Sequence, residues 1–249
     1  YNNMSSISDH THGLNIMGLI TARGGSKGIP RKNLVPIAGK PMIAHTIKAA
    51  SDSGVLDRII VSTDDEEIAK VSRNWGGEVP FMRPSELSGD LDTSFPVVVH
   101  AVKWFDIHEG YKPDYILLLQ PTSPLRNATD IRKAVTIAAE EDADSVISVY
   151  EPKQHPNWMF ELTANGRFVD FNPEERELTR RQSLPSSYML NGAIFLVKHH
   201  VILEQTHWYT DRTFALIMPP ERSMDIDKSI DIKITELLMR ELGPEETPS

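Results

Sequence analysis

No cysteine occurs in the 249 residues, and that one absence excludes a disulfide framework, a thiolate zinc site and a cysteine nucleophile together. No apolar run approaches the ~20 residues that span a bilayer, so no membrane partner is expected. The first 22 residues hold neither Lys nor Arg, which predicts no secretory signal and a cytoplasmic setting. Aromatic residues are sparse at 7%, yet apolar residues reach 40% and charged ones 24%, a balance that suits a folded domain. Basic side chains are in deficit, 26 against 35 acidic. The net charge of −9 argues against nucleic acid as the main partner.

A second absence is local. Between His10 and Ser51 there is no Asp or Glu, while Arg23, Lys27, Arg31, Lys32, Lys40 and Lys48 all lie there. That stretch is +6, so the rest of the chain is −9 minus 6, or −15. A cationic segment in an acidic protein points to a site for a small anion.

Along the chain, residues 1–14 are polar and read as a frayed or non-native terminus. Asn15 to Ile20 reads as a buried strand entering a Gly-rich loop. Pro41 opens a helix that Gly54 stops, with Met42, Ile43, Thr46, Ile47 and Ala50 on one face. Further strands are expected at Asp57–Ser62, Asp114–Gln120, Asp144–Tyr150, Ala193–Lys198 and Phe214–Met218. Helices are expected near Asp65–Trp75, Ser94–Ile107, Asp130–Glu141 and Ile230–Glu241. Strands alternating with 10–15-residue helices imply βαβ crossovers and an α/β fold with a mainly parallel sheet. From about Pro152 to Leu190 the alternation stops. There Asn165-Gly166, between Phe160-Glu161-Leu162-Thr163 and Arg167-Phe168-Val169-Asp170, signals a type I′ hairpin on a β-rich insertion.

The segment Leu19 to Asn33 carries the chemistry. A first strand ending in a turn rich in Gly, Arg and Lys is where open α/β folds place phosphates, because glycines let backbone N–H groups approach an anion. It is neither a P-loop nor Gly-x-Gly-x-x-Gly. Gly24-Gly25-Ser26-Lys27-Gly28 does match the Gly-x-Ser-x-Gly elbow of serine hydrolases. Only one strand can precede Ser26, however, and Lys27 and Arg31 suit an anion better than an ester. A surface loop with solvated charges is the other reading. Asp225-Ile226-Asp227 offers two carboxylates to one side of an extended segment, which fits either a hard cation or a helix cap. Asp64 and Asp65 read as a helix N-terminus, Ser94 as a possible N-cap, and His199-His200 lacks zinc-ligand spacing.

Ala22-Arg23-Gly24-Gly25-Ser26-Lys27-Gly28-Ile29-Pro30-Arg31-Lys32-Asn33-Leu34 followed by Gly39-Lys40-Pro41 resembles the N-terminal signature of the N-acylneuraminate cytidylyltransferase family. The resemblance continues in order through Val61-Ser62-Thr63-Asp64-Asp65, Arg83-Pro84-Ser85-Glu86-Leu87, Leu119-Gln120-Pro121-Thr122-Ser123-Pro124-Leu125-Arg126, Asn191-Gly192-Ala193-Ile194 and Asp225-Ile226-Asp227. It implies a Rossmann-like sheet flanked by helices, with residues 15–249 as a nucleotidyltransferase domain and an arm at about 152–190 for dimerisation and substrate. It also implies an enzyme that transfers CMP from CTP to a nine-carbon 2-keto acid sugar, with Mg²⁺ or a substituting Mn²⁺. Two rivals are a catalytically silent nucleotide-sugar-binding module and a hydrolase using Ser26.

By the same resemblance, Arg23, Gly24, Ser26, Lys27 and Lys32 hold the triphosphate. Asn33, Arg83 and Ser94 lie at the nucleoside, and Asp225 and Asp227 bind the metal. Gln120, Tyr188 and Asn191 line the sugar pocket, and Arg181 of the partner's arm meets the sugar carboxylate in a homodimer. Within the chain alone, Arg180 and Arg181 can equally neutralise Glu174, Glu175 and Glu177. The chain departs from some sialic acid synthetases where His155-Pro156-Asn157 is followed by Trp158, and again at Tyr188-Met189-Leu190. Both departures fall in the sugar pocket, which makes a legionaminate-type sugar a rival to N-acetylneuraminate.

Overall fold

The computed structural model describes residues 13–26, 28–89, 94–171 and 184–243, so Lys27 and Arg181 lie outside the described residues. A six-stranded sheet forms the centre. Its members are β1 (Ile16–Thr21), β4 (Arg58–Ser62), β5 (Tyr115–Leu119), β6 (Ser145–Tyr150), β9 (Met189–Lys198) and β10 (Thr213–Ile217), in the spatial order β10-β6-β9-β5-β1-β4. β1 runs parallel to β4 and β5, and β6 parallel to β10. β9 alone is antiparallel, between β5 and β6. The reversal has a simple cause. β6 and β9 are joined by a β-rich excursion instead of a crossover helix, so the chain re-enters the sheet from the far end.

Helices α1 (Met42–Ser53) and α4 (Ala128–Glu140) cover one face, α3 (Ser94–Glu109) and α5 (His199–Glu204) the other. The period of two along β1 explains the two cores. Ile16 and Ile20 pack with Ile43, Ile47 and Ile131, while Met17 and Leu19 pack with Val98, Phe105 and Phe195. In β5 every residue is buried, because both faces are covered. Ile116, Leu117, Leu118 and Leu119 each contribute about 1.5–3 kcal/mol by leaving water. Helices α2 (Glu66–Asn74) and α6 (Ser229–Leu242) complete the set.

The expected helix and strand ends fall within a few residues of those observed, as fraying allows. The hairpin from β7 (Phe160–Leu162) to β8 (Phe168–Asp170) is present, but its turn differs from expectation. Only Gly166 has positive φ (79°), the Gly166 N–H donates to the Thr163 carbonyl, and the Thr163 N–H donates to Arg167. The connection is therefore a type I turn closed by a left-handed glycine, not type I′. The type I′ pattern occurs instead at Ala38 (φ 46°) and Gly39 (φ 80°), joining the two-residue strands β2 (Pro36–Ile37) and β3 (Lys40–Pro41).

Candidate active site

β1 has β4 on one side and β5 on the other, and the chain reverses its direction of travel across the sheet there. Such a switch point leaves a crevice at the carboxyl ends of the strands. A cleft of about 230 Å³ occupies that place, lined by Thr21, Arg23, Ser26, Lys32, Asn33, Arg83, Ser94, Gln120 and Thr122 among others.

The cationic loop forms one wall. Arg31 turns its corner at φ 52°, held 2.9 Å from both Asp65 and Glu67. A Cβ on Gly28 would lie 2.5 Å from the Asp227 carbonyl oxygen, so only glycine lets the loop dock against the acidic segment. Lys32 then spans the junction, donating to the Ile226 carbonyl at 2.8 Å and to Asp227 Oδ1 at 3.1 Å. Arg23 Nη1 donates to the Gly89 carbonyl at 2.7 Å, and Asn33 Nδ2 donates to the Arg23 carbonyl at 2.9 Å. Gly24 lies behind this wall, its N–H given to Asp64 Oδ1 at 2.9 Å. Asp65 caps α2 as expected, accepting from the Glu67 and Ile68 N–H groups. Asp64 braces the loop, a role its position beside the cap did not announce.

Beyond β4, Arg83 is only 7% exposed, with its guanidinium on the Ser62 carbonyl and hydroxyl and its own N–H on the Thr63 carbonyl. The Ser62 contacts hold this guanidinium in one orientation at the cleft wall, where its planar donor fork can serve a second acceptor. Ser94 opens α3 on the same wall. Gln120 follows β5, as its place after the Leu-rich strand predicts.

Thr122 emerges only in the fold. Its carbonyl accepts the Ile226 N–H at 2.9 Å, and Ile226 is fully buried with Ile29, Ile37 and Met42. With the central residue anchored inward, extended geometry turns the flanking Asp225 and Asp227 the other way. Loss of water around its carboxylate at this junction raises the Asp225 pKa from its ordinary value. A hydrogen bond from Thr122 and the charge of Lys32 oppose the rise, while Asp227 and Asp231 add to it. Neither aspartate caps the following helix. Asp231 does that, accepting from the Asp227 and Lys228 N–H groups at 2.9 and 2.7 Å. Among the described residues no group of three or more His, Cys, Asp or Glu gathers into a ready-made metal site. Asp225 and Asp227 are not among the lining residues but flank the cleft behind Lys32 and Thr122, where two hard carboxylates would suit a divalent cation such as Mg²⁺.

Asn191 is placed in the interior of β9, away from the cleft lining. Its Oδ1 accepts from Ser148 and the Ala193 N–H, and its Nδ2 donates to Ser223. Tyr188 is exposed at the start of β9, also outside the lining. No histidine lies among the described residues lining the cleft, so the described lining offers Ser26 no Ser–His pair.

The cytidylyltransferase family pattern matches residues 17–242. The chain is 38% identical over 215 residues to an N-acylneuraminate cytidylyltransferase of Streptococcus agalactiae, covering 86% of this chain and 50% of that protein. It is 37% identical over 228 residues to a CMP-N,N'-diacetyllegionaminic acid synthase of Legionella pneumophila, covering 91% and 97%. The chain thus spans about half the length of the streptococcal relatives and nearly all of the other. In fold it resembles a CMP:2-keto-3-deoxy-manno-octonic acid synthetase, with a TM-score of 0.66 at 16% identity over 92% of this chain and 99% of that one. A family pattern that runs from β1 into α6 takes in every described wall of the cleft, and the chain belongs to the cytidylyltransferase family.

Proposed function

We propose that this chain transfers CMP from CTP to the anomeric hydroxyl of a nine-carbon 2-keto acid sugar of the sialic or legionaminic type, releasing pyrophosphate. The observation that carries the reading is one cleft whose lining brings together Arg23 and Lys32, the Asn33 amide, the buried Arg83 guanidinium and Gln120. Support also comes from similarity to proteins named for sialic and legionaminic acids over most of this chain.

In this reading Arg23, Ser26, Lys27 and Lys32 hold the triphosphate. The sugar oxygen bonds to the α-phosphorus, the bond from that phosphorus to the bridging oxygen breaks, and pyrophosphate leaves as its charge grows. Cations already fixed in place stabilise that charge without reorganising. The hydroxyl proton passes to solvent or to a carboxylate. Asn33 spends its Nδ2 on the Arg23 carbonyl, which leaves Oδ1 to accept from the cytosine amino group. Arg83 can donate to the cytosine carbonyl and Ser94 to the nucleoside. Asp225 and Asp227 would hold Mg²⁺, or Mn²⁺ in its place, which when bound withdraws electrons from the phosphates.

The sugar takes Gln120, with Tyr188 nearby and Asn191 supporting from beneath. Arg181 of a second copy's arm takes the carboxylate, and the working unit is a homodimer in the cytoplasm. The exposed apolar side chains of the arm, among them Phe160, Leu162, Phe168 and Phe171, support that assembly. The test is CTP-dependent pyrophosphate release across a panel of 2-keto acid sugars, with and without EDTA. EDTA-sensitive release with one nine-carbon sugar is expected. CTP binding without release from any sugar would leave only a silent binding module, and metal-independent ester turnover without CTP would favour Ser26 as a nucleophile.

A further inference from the structure

Arg126 closes the turn after β5 and is the bulkiest fully buried side chain among the described residues. Its setting is unusual for a guanidinium. Nη1 donates to the Gln120 carbonyl at 3.2 Å and the Ala193 carbonyl at 3.1 Å, while Nε and Nη2 have no hydrogen-bond partner. The Asp130 carboxylate on the next helix is already engaged twice by Arg222, at 2.7 and 3.1 Å. Burial brings the Arg126 pKa down to about 10, with Asp130 opposing. A well-packed apolar residue would cost less in this place. What arginine alone supplies is a donor fork on a long stem that reaches two strands at once.

The strands it reaches are coming apart. β5 and β9 pair in register as far as Leu118 opposite Phe195. Continued two residues, that register would set Gln120 opposite Ala193. Instead the Ala193 N–H turns to Asn191 Oδ1, and Arg126 Nη1 bridges the two carbonyls across the opened end. The opening is where Gln120 meets the cleft. Gly192, at φ 72°, lies directly beneath the Gln120 amide, and a Cβ there would stand 3.0 Å from Gln120 Oε1. An L side chain at that φ is strained as well.

We infer that Arg126 and Gly192 are positioning residues that set the Gln120 amide at the sugar end of the cleft. Arg126 fixes the Gln120 backbone across the splayed strands, and Gly192 leaves the space its side chain occupies. The inference rests on the assignment of Gln120 to the sugar.

The experiment uses the whole chain, with CTP and each sugar that the wild type turns over. Arg126→Met and Gly192→Ala should raise KM for the sugar about tenfold or more while KM for CTP stays within about twofold, the loss equivalent to one misplaced contact. Arg126→Lys, which keeps a donor on a long stem, should recover part of that loss. Gly192→Ala added to Gln120→Ala should cost little beyond Gln120→Ala alone, because both act on one amide. Should Arg126→Met fail to fold, Gly192→Ala and its double variant carry the test. Equal rises in both KM values, or full additivity of Gly192→Ala with Gln120→Ala, would overturn the positioning role and leave the sugar site standing. A folded wild type that binds CTP and turns over no sugar would overturn the sugar assignment and this inference with it.

Discussion

Lys32 shows how one side chain can serve two segments far apart in sequence. Its ammonium is tied to the Ile226 carbonyl and to Asp227, and its side chain is 17% exposed while that of Asp227 is 71% exposed. With its carboxylate partner open to water the pair is largely screened and adds little to stability. Lys32→Ala should therefore leave the melting temperature nearly unchanged and lower kcat by the equivalent of about 2–4 kcal/mol, the worth of one fixed donor to a developing anion. Near-wild-type kcat in a folded variant would refute the phosphate role. The neighbouring aspartate tests the metal reading separately. Because Asp231 supplies the helix cap, Asp227→Asn should not loosen α6, and it should abolish Mg²⁺-dependent turnover, since an amide is a poorer ligand for a hard cation. Full activity of the asparagine variant at ordinary Mg²⁺ would make the acidic pair structural only.

At the scale of elements, the site depends on how α4 is pinned. Asn127 and Asp130 form a reciprocal capping box at its start, and Asp130 also takes both prongs of Arg222, which leads into Ser223 and the acidic segment. Asp130 is 2% exposed on its side chain. Asp130→Ala should cost about 3–5 kcal/mol, because it strands Arg222 and leaves the buried Arg126 without a counter-charge. A urea titration showing less than about 1 kcal/mol would mean the pair is not a keystone. Elements of this kind were legible in the sequence where one local rule governs them. Pro41 and Gly54 bracket α1, and Asp65 caps α2, because caps and breakers act over a turn. The Gly-rich cationic loop was legible for the same reason. The antiparallel entry of β9, the Thr122–Ile226 bond and the Arg126 bridge were not, because each depends on partners some 39 to 104 residues away whose register no local pattern encodes. The hairpin turn was misread from Asn165-Gly166 because that dipeptide serves two turn types, and flanking pairing decides between them.

Two properties belong to the whole molecule. The first is the acid limb of its stability. His45, His100 and His199 all have lowered pKa values, in each case chiefly through burial. Lys40 adds for the first and Arg83 for the second, against Glu86, and Lys112 and His200 add for the third, against Asp106. A histidine whose folded pKa is depressed binds its proton in the unfolded chain first, so stability falls as pH drops below about 6.5 toward the folded value. The melting temperature should be lower at about pH 5.5 than at about pH 7.5, and replacing all three with Gln should flatten that slope; a slope unchanged in the triple variant would assign it elsewhere. The second property is assembly. Phe160, Leu162, Phe168 and Phe171 are 39 to 73% exposed on a three-residue-per-strand hairpin, and a two-stranded hairpin is marginal alone in water. In the proposed homodimer a twofold partner would supply the missing cover and would place two equivalent arms over two equivalent clefts. Leu162→Glu combined with Phe168→Glu should give a monomer by sedimentation that still binds CTP but turns over sugar poorly. Mixing Arg181→Ala chains with Lys32→Ala chains separates arm from cleft. Each homodimer should be nearly inactive, while the mixture should regain roughly a quarter of wild-type activity, since about half the dimers are mixed and each carries one site with both parts intact. No recovery in verified heterodimers, or full activity in the monomeric variant, would sink the shared site and return Arg181 to the task of neutralising its acidic neighbours.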